Sequence, residues 1–146
     1  MSQDSDFFQL ISENVTVLRY RGDKSVLCTP DYIRQTLGID PGQYAAYKSL
    51  TGDTSDNIRG VDKVGPKTAA ALINQFGCLD DMIARAETIQ KPSIRKSVME
   101  QSDRILNNYA LIHLAGCADL PFPLNDLSFS DSGLTTTQVL QNIGLR

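Results

Sequence analysis

Gly52-Asp53-Thr54-Ser55-Asp56-Asn57-Ile58-Arg59-Gly60-Val61-Asp62-Lys63-Val64-Gly65-Pro66-Lys67-Thr68-Ala69-Ala70 is the stretch on which the reading of this chain turns. It opens with two acids three apart, where one helix ends and a turn begins. On a helical turn, side chains at i and i+3 lie on the same side. It closes on a glycine-punctuated turn that runs straight into a helix. Gly65 lets a backbone come close to a ligand, and Pro66 suits a first helical turn. The N–H groups of such a start, with the positive end of the helix dipole, suit an anion such as phosphate. Lys63 and Lys67 add charge beside it. The turn can therefore hold a nucleic-acid backbone without reading bases. It is no P-loop, because GxxxxGK[ST] is absent.

Outward from this stretch the chain reads as helix-rich α/β. Upstream, Val15–Tyr20 and Ser25–Cys28 are β-rich runs joined through Arg21-Gly22-Asp23-Lys24, a hairpin. Thr29-Pro30 marks a capped helix start and Gly38 its stop. Asp40-Pro41 repeats the device and starts a helix to about Leu50. Downstream, Ala69, Leu72, Ile73 and Phe76 fall at helical spacing before Gly77. Leu79 to about Ala86 reads as a short helix. Pro92 begins a longer one, with Ile94, Val98, Ile105, Tyr109 and Ile112 on one face and Gly116 as its end. A final short helix follows Thr135.

The front of the chain carries a second acid pair, Asp4 and Asp6, whose spacing places them on one face of a strand end. Four converging carboxylates would repel one another unless a cation sat between them. Hard divalent ions such as Mg²⁺ and Mn²⁺ want such oxygen ligands. Spacing alone also suits turn and cap duty for Asp53 and Asp56 and a solvated terminus for Asp4 and Asp6.

Composition narrows the remaining chemistry. The chain has 146 residues, 41% hydrophobic and 21% charged, an ordinary balance for a globular core. No apolar run approaches the ~18 residues that span a bilayer, so no membrane partner is expected. Net charge is −3, so any nucleic-acid binding must come from a local patch. Cys28, Cys78 and Cys117 form no CxxC pair, and His113 is the only histidine. A disulfide framework and a zinc site are not expected, and a cytoplasmic setting fits. His113 lies in the apolar run Ala110–Leu114 and reads as a packing residue. Carboxylates are the catalytic chemistry left.

Gly-Asp-x-Ser-Asp-Asn-Ile, then Gly-Val, then Val-Gly-Pro-Lys-Thr-Ala resembles the 5′ nuclease family, the flap endonucleases and the 5′→3′ exonuclease domain of bacterial DNA polymerase I. Ser2-Gln3-Asp4-Ser5-Asp6-Phe7-Phe8-Gln9-Leu10-Ile11 is similar to the family's preceding signature, in which two aspartates end a core strand. The resemblance implies the C-terminal half of a 5′ nuclease (PIN-like) domain with a small β-hairpin and a helix-hairpin-helix. It implies three regions. Residues 1–30 would be a remnant of the nuclease α/β core with the first acid pair. Residues 31–90 would be the DNA-binding helix–three-turn–helix with the second pair, and residues 91–146 a C-terminal helical region.

By the same resemblance, Asp4, Asp6, Asp53 and Asp56 are the acids of the second divalent-metal site, for Mg²⁺ or Mn²⁺. Arg59, Lys63, Gly65, Lys67 and Thr68 are the hairpin that grips duplex DNA near a 5′ end, flap or nick. Val61 and Val64 carbonyls are candidates for a potassium ion. Two departures from the family pattern stand out. Lys63 occupies the first glycine of the usual Gly-x-Gly before Pro-Lys; if that position needs φ > 0, lysine is strained there. The family's preceding half-sheet, first metal-site acids and helical arch have no counterpart in these residues. The expectation is DNA binding without turnover unless a separate N-terminal half is supplied. The alternative is a non-catalytic helix-hairpin-helix module. Lys91, Arg95 and Lys96 read as a solvated helix face, with a second DNA-facing strip as the alternative.

Overall fold

The computed structural model describes residues 1–114, and beyond them positions 123, 133, 135, 137, 138 and 141. Residues 1–114 form one compact unit, and 115–146 a second. Among the described residues no helix is long and apolar enough to cross a membrane.

Strands β1 (Val17–Arg19) and β2 (Val26–Cys28) pair antiparallel, with Val17 opposite Cys28 and Leu18 opposite Leu27. The two-residue period turns Val17 and Cys28 into the core and leaves Leu18 and Leu27 outside. Helix α1 (Pro30–Leu37) starts where the Thr29 side chain accepts the Tyr32 N–H. It stops at Gly38, whose φ of 73° lets the chain turn left-handed. The next helix does not start at Pro41 as expected. Pro41–Gln43 is a single 3₁₀ turn, and α2 runs Tyr44–Thr51.

Strands β3 (Gly52–Asp53) and β4 (Ile58–Arg59) form a minimal antiparallel pair. Helix α3 (Pro66–Phe76) buries Ala69, Leu72, Ile73 and Phe76 and ends at Gly77. Helix α4 covers Leu79–Ala84. The single helix expected from Pro92 is two: α5 (Pro92–Glu100) and α6 (Ser102–Ile112). The break falls at Gln101, whose amide leaves the helix surface to exchange hydrogen bonds with Asp62 (both 3.3 Å). Ile94, Val98, Ile105 and Ile112 remain buried across the break. α6 ends at His113; Gly116 and Cys117 lie outside the described residues. The expected last helix lies mostly outside them too, although Thr135 and Gln138 exchange the hydrogen bonds of a capping box.

α2 is the centre of the fold. It packs on α6, on α3 and on the 3₁₀ turn Ser5–Leu10. Ile33, Ile39, Leu50, Ile73, Met82, Val98 and Ile105 are fully buried in the shared core. Each such side chain contributes about 1.5–3 kcal/mol by leaving water. The core therefore holds the end of α2, and the acid-bearing loop that follows it, in place.

Candidate functional site

Close packing of two glycines sets the acid loop. A Cβ at Gly52 would stand 2.4 Å from Gly60 N, and one at Gly60 2.4 Å from the Thr51 carbonyl carbon. Only glycine at both positions lets the backbone leave α2, turn through Thr54–Asn57 and return against itself. Gly52 has φ 79°, and Asn57 takes the second left-handed position at φ 57°. The turn is not helical, so Asp53 and Asp56 are not a same-face helical pair. Asp53 ends β3 and Asp56 lies in the turn.

The first pair also departs from expectation. Asp4 and Asp6 do not end a strand. Asp4 caps the 3₁₀ turn, and its Oδ1 accepts the Asp6 N–H at 2.9 Å. The preceding residues run beside β1 instead, with Ser2 N–H donating to Leu18 O at 3.1 Å and Gln3 bonding to Tyr20 O.

Three of the four acids nevertheless face one space, while Asp6 is not among its lining residues and feels the others through their charge. Asp4, Asp53 and Asp56 line a cleft of about 470 Å³ with Gln3, Ser5, Arg19 and Ser55. Partial burial raises the pKa of Asp6, and the charges of Asp4, Asp53 and Asp56 push it further up. Asp53 shows the opposite balance. Burial would raise its pKa, but hydrogen bonds from Lys48 and from the Ser55 hydroxyl and amide bring it below the usual carboxylate value. Lys48 Nζ sits 2.7 Å from Asp53 Oδ2, and Ser55 N–H donates to Oδ1 at 2.9 Å. Burial holds the Tyr44 hydroxyl protonated, and Asp6, Asp53 and Asp4 reinforce the effect.

Among the described residues no three His, Cys, Asp or Glu side chains close on one point as a ready ligand group. The Lys48 ammonium occupies Asp53 Oδ2. The donor set itself, carboxylate oxygens in a water-accessible cleft, fits a hard divalent ion that takes over from Lys48 on Asp53 Oδ2.

The hairpin side is mixed. Lys63 and Lys67 are exposed, and Thr68 is half-buried. Lys63 has φ 65°, so the position does require the left-handed region and lysine is strained there. Arg59 is not a free cation. It pairs with Asp62 at 2.9 Å and draws that acid's pKa down. Gly65 has φ −91° and ψ 179°, ordinary extended backbone, and a Cβ there would meet nothing within 4 Å. Val61 and Val64 are buried, and the Val61 carbonyl accepts the Val64 N–H. Arg95 serves the Ile89 and Gln90 carbonyls, and Lys96 pairs with Glu100. His113 is exposed rather than packed inside, lying over Tyr109 with ring centroids 5.0 Å apart.

Sequence reading missed Lys48, Ser55 and Arg19. Lys48 carried a signal: a basic residue in the last turn of a helix, just before Gly-Asp, is favourably placed by the helix dipole. Arg19 carried none. It reaches the cleft because β1 crosses beside it, with its guanidinium over the Phe8 ring at 5.6 Å. Its Nε is buried without a hydrogen-bond partner.

The chain belongs to the family described as 5′-3′ exonuclease, C-terminal SAM fold, whose model matches residues 39–133. It is 33% identical over 125 residues to the thermostable DNA polymerase I of Thermus aquaticus, covering 86% of this chain and 14% of that protein. A T5 5′-exonuclease mutant matches the fold with TM-score 0.67 at 24% identity, over 76% of this chain and 45% of its own. The bacteriophage T5 flap endonuclease, in a pseudo-enzyme–product complex with DNA and metal ions, matches at 0.66 and 23%, over 75% and 40%. At these identities the structural likeness establishes the fold: this helix-rich chain resembles the C-terminal part of the T5 exonuclease.

Proposed function

We propose that this chain grips duplex DNA through the Lys63–Thr68 turn and offers Asp4, Asp6, Asp53 and Asp56 as the second divalent-metal site of a 5′→3′ exonuclease or flap endonuclease. The observation that carries the DNA reading is Gly65. Its backbone conformation suits any residue, and a side chain there would meet no part of this protein. Nothing within the chain requires glycine there, and the missing Cβ leaves the backbone open to close approach by a ligand. The first turn of α3 behind it has no side-chain cap, so its N–H groups face outward with Lys67. That arrangement suits a phosphate brought close to backbone.

The acid cleft supplies the chemistry. A divalent ion there, Mg²⁺ or Mn²⁺, would orient a hydroxide and stabilise charge on the leaving oxygen. Asp53 is kept ionised for this by Lys48 and Ser55. Asp6 lies in the field of the other three acids, which a cation would relieve. Phosphodiester hydrolysis by two ions about 4 Å apart needs further ligands. Further polypeptide, in the same protein or as a separate N-terminal half, is the proposed source, and the setting is cytoplasmic. A 5′ end, flap or nick in duplex DNA is the proposed substrate. A potassium ion would use the second lone pair of the Val61 carbonyl, with Val64.

Gly65→Ala separates this reading from a purely structural hairpin. The conformation tolerates alanine, so stability should be unchanged or rise by about 0.5 kcal/mol. Affinity for a 5′-flap duplex should fall at least about fivefold, roughly 1 kcal/mol of lost contact. Undiminished DNA affinity in Gly65→Ala would refute the grip.

A further inference from the structure

One buried carboxamide holds both ends of the acid loop. Asn108 lies in the middle of α6 and is 6% exposed. Its Nδ2 donates to Ser49 O at 3.0 Å and to Arg59 O at 2.9 Å. Ser49 belongs to the last turn of α2, whose carbonyls have run out of helical partners. Arg59 is paired with Gly52 across β3 and β4. The two carbonyls therefore flank the segment that carries Asp53, Ser55 and Asp56. An amide nitrogen has two hydrogens, and here each serves one side of the loop.

We infer that Asn108 is a positioning residue for the metal site: it fixes the span of the acid loop without touching the cleft. This rests on the metal-site reading above. Loss of the amide takes the partner from one buried and one part-buried carbonyl, and the loop relieves them by opening toward water. Asp53 and Asp56 then lose their fixed separation. Groups that orient metal ligands from outside the coordination sphere typically change affinity by about 10–100-fold.

The test uses the full chain and Mn²⁺ alone. Affinity is read by electron paramagnetic resonance, well below each melting temperature. Asn108→Leu keeps the branched shape, at somewhat larger volume, and removes both donors. Ile105→Val, on the same helix, is the destabilising control that leaves the loop untouched. Asn108→Leu should bind Mn²⁺ about tenfold more weakly, with faster hydrogen exchange at residues 53–58. Ile105→Val should bind as the unaltered protein does. Should Asn108→Leu not fold, Asn108→Ser carries the test, because one hydroxyl can serve only one carbonyl. Equal affinity in the Asn108 variant that folds, or equal loss in Ile105→Val, would overturn the positioning role alone. Absence of Mn²⁺ binding by the unaltered chain, or binding indifferent to Asp53→Asn, would overturn the metal site and this inference with it.

Discussion

Replacing Lys63 with glycine should stabilise the protein while weakening its hold on DNA. Lys63 sits at φ 65°. For a residue with a Cβ, that region costs about 1–2 kcal/mol through crowding with its own backbone. Glycine removes that strain, but it frees the unfolded chain by about 0.4–1 kcal/mol. The difference leaves a net gain of about 0.5–1 kcal/mol, or about 2–4 °C in melting temperature for a domain of this size. Lys63→Ala is the control. It keeps the Cβ and hence the strain, so its stability should stay within about 0.5 kcal/mol of the unaltered protein. Both variants remove one cation, so both should lower the slope of log affinity against log salt by about 0.9 if Lys63 meets a phosphate. Urea titrations and salt-dependent DNA binding read the two effects separately. A glycine variant no more stable than the alanine variant would refute the strain argument. Unchanged salt slopes in both would take Lys63 off the DNA path.

Gly60→Ala should destabilise by about 3 kcal/mol or more, since its Cβ would collide with backbone and force the acid loop off α2; thermal unfolding checks this. Lys48→Met should cost about 2 kcal/mol at pH 7 by stranding Asp53 in a largely buried site, as measured by urea unfolding. The pH dependence follows from two opposed carboxylates. Asp53 has a folded pKa below its unfolded 3.8, so its contribution is present above that value and is lost as pH falls through the folded pKa. Asp6 has a folded pKa above 3.8, so its penalty is absent at low pH and sets in as pH rises through the folded value. Asp6→Asn should therefore raise stability at pH 7 and not at pH 3, and an increase of equal size at both would refute the assignment.

Much of the fold was legible in local chemistry. Thr29-Pro30, Gly38 and Gly77 marked helix ends because caps and left-handed stops act over a few residues. The Val17 and Cys28 face followed from strand alternation. The break at Gln101 was not legible, because nothing in the sequence near it is a breaker. At the break the Gln101 side chain hydrogen-bonds Asp62, far away in the chain. Asp4 lines the cleft and Asp6 does not, and neither has the expected secondary structure, since a cap and a strand end carry the same spacing. The acids of the site were visible as residue types. Their counter-charges, Lys48 and Arg19, depend on tertiary placement. The pair of hydrogen bonds made by Asn108 depends on two carbonyls that only meet when α2 and β4 pack on α6.

The most direct test of the account is whether one ion sees both acid pairs. The unaltered chain is titrated with Mn²⁺, and paramagnetic broadening of backbone amide signals is followed residue by residue. The account predicts that amides around Asp4 and Asp6 broaden together with those at Asp53–Asp56, at the same Mn²⁺ concentration, and that Asp53→Asn weakens both sets. Broadening confined to one pair, or two sets titrating independently, would contradict a shared metal cleft.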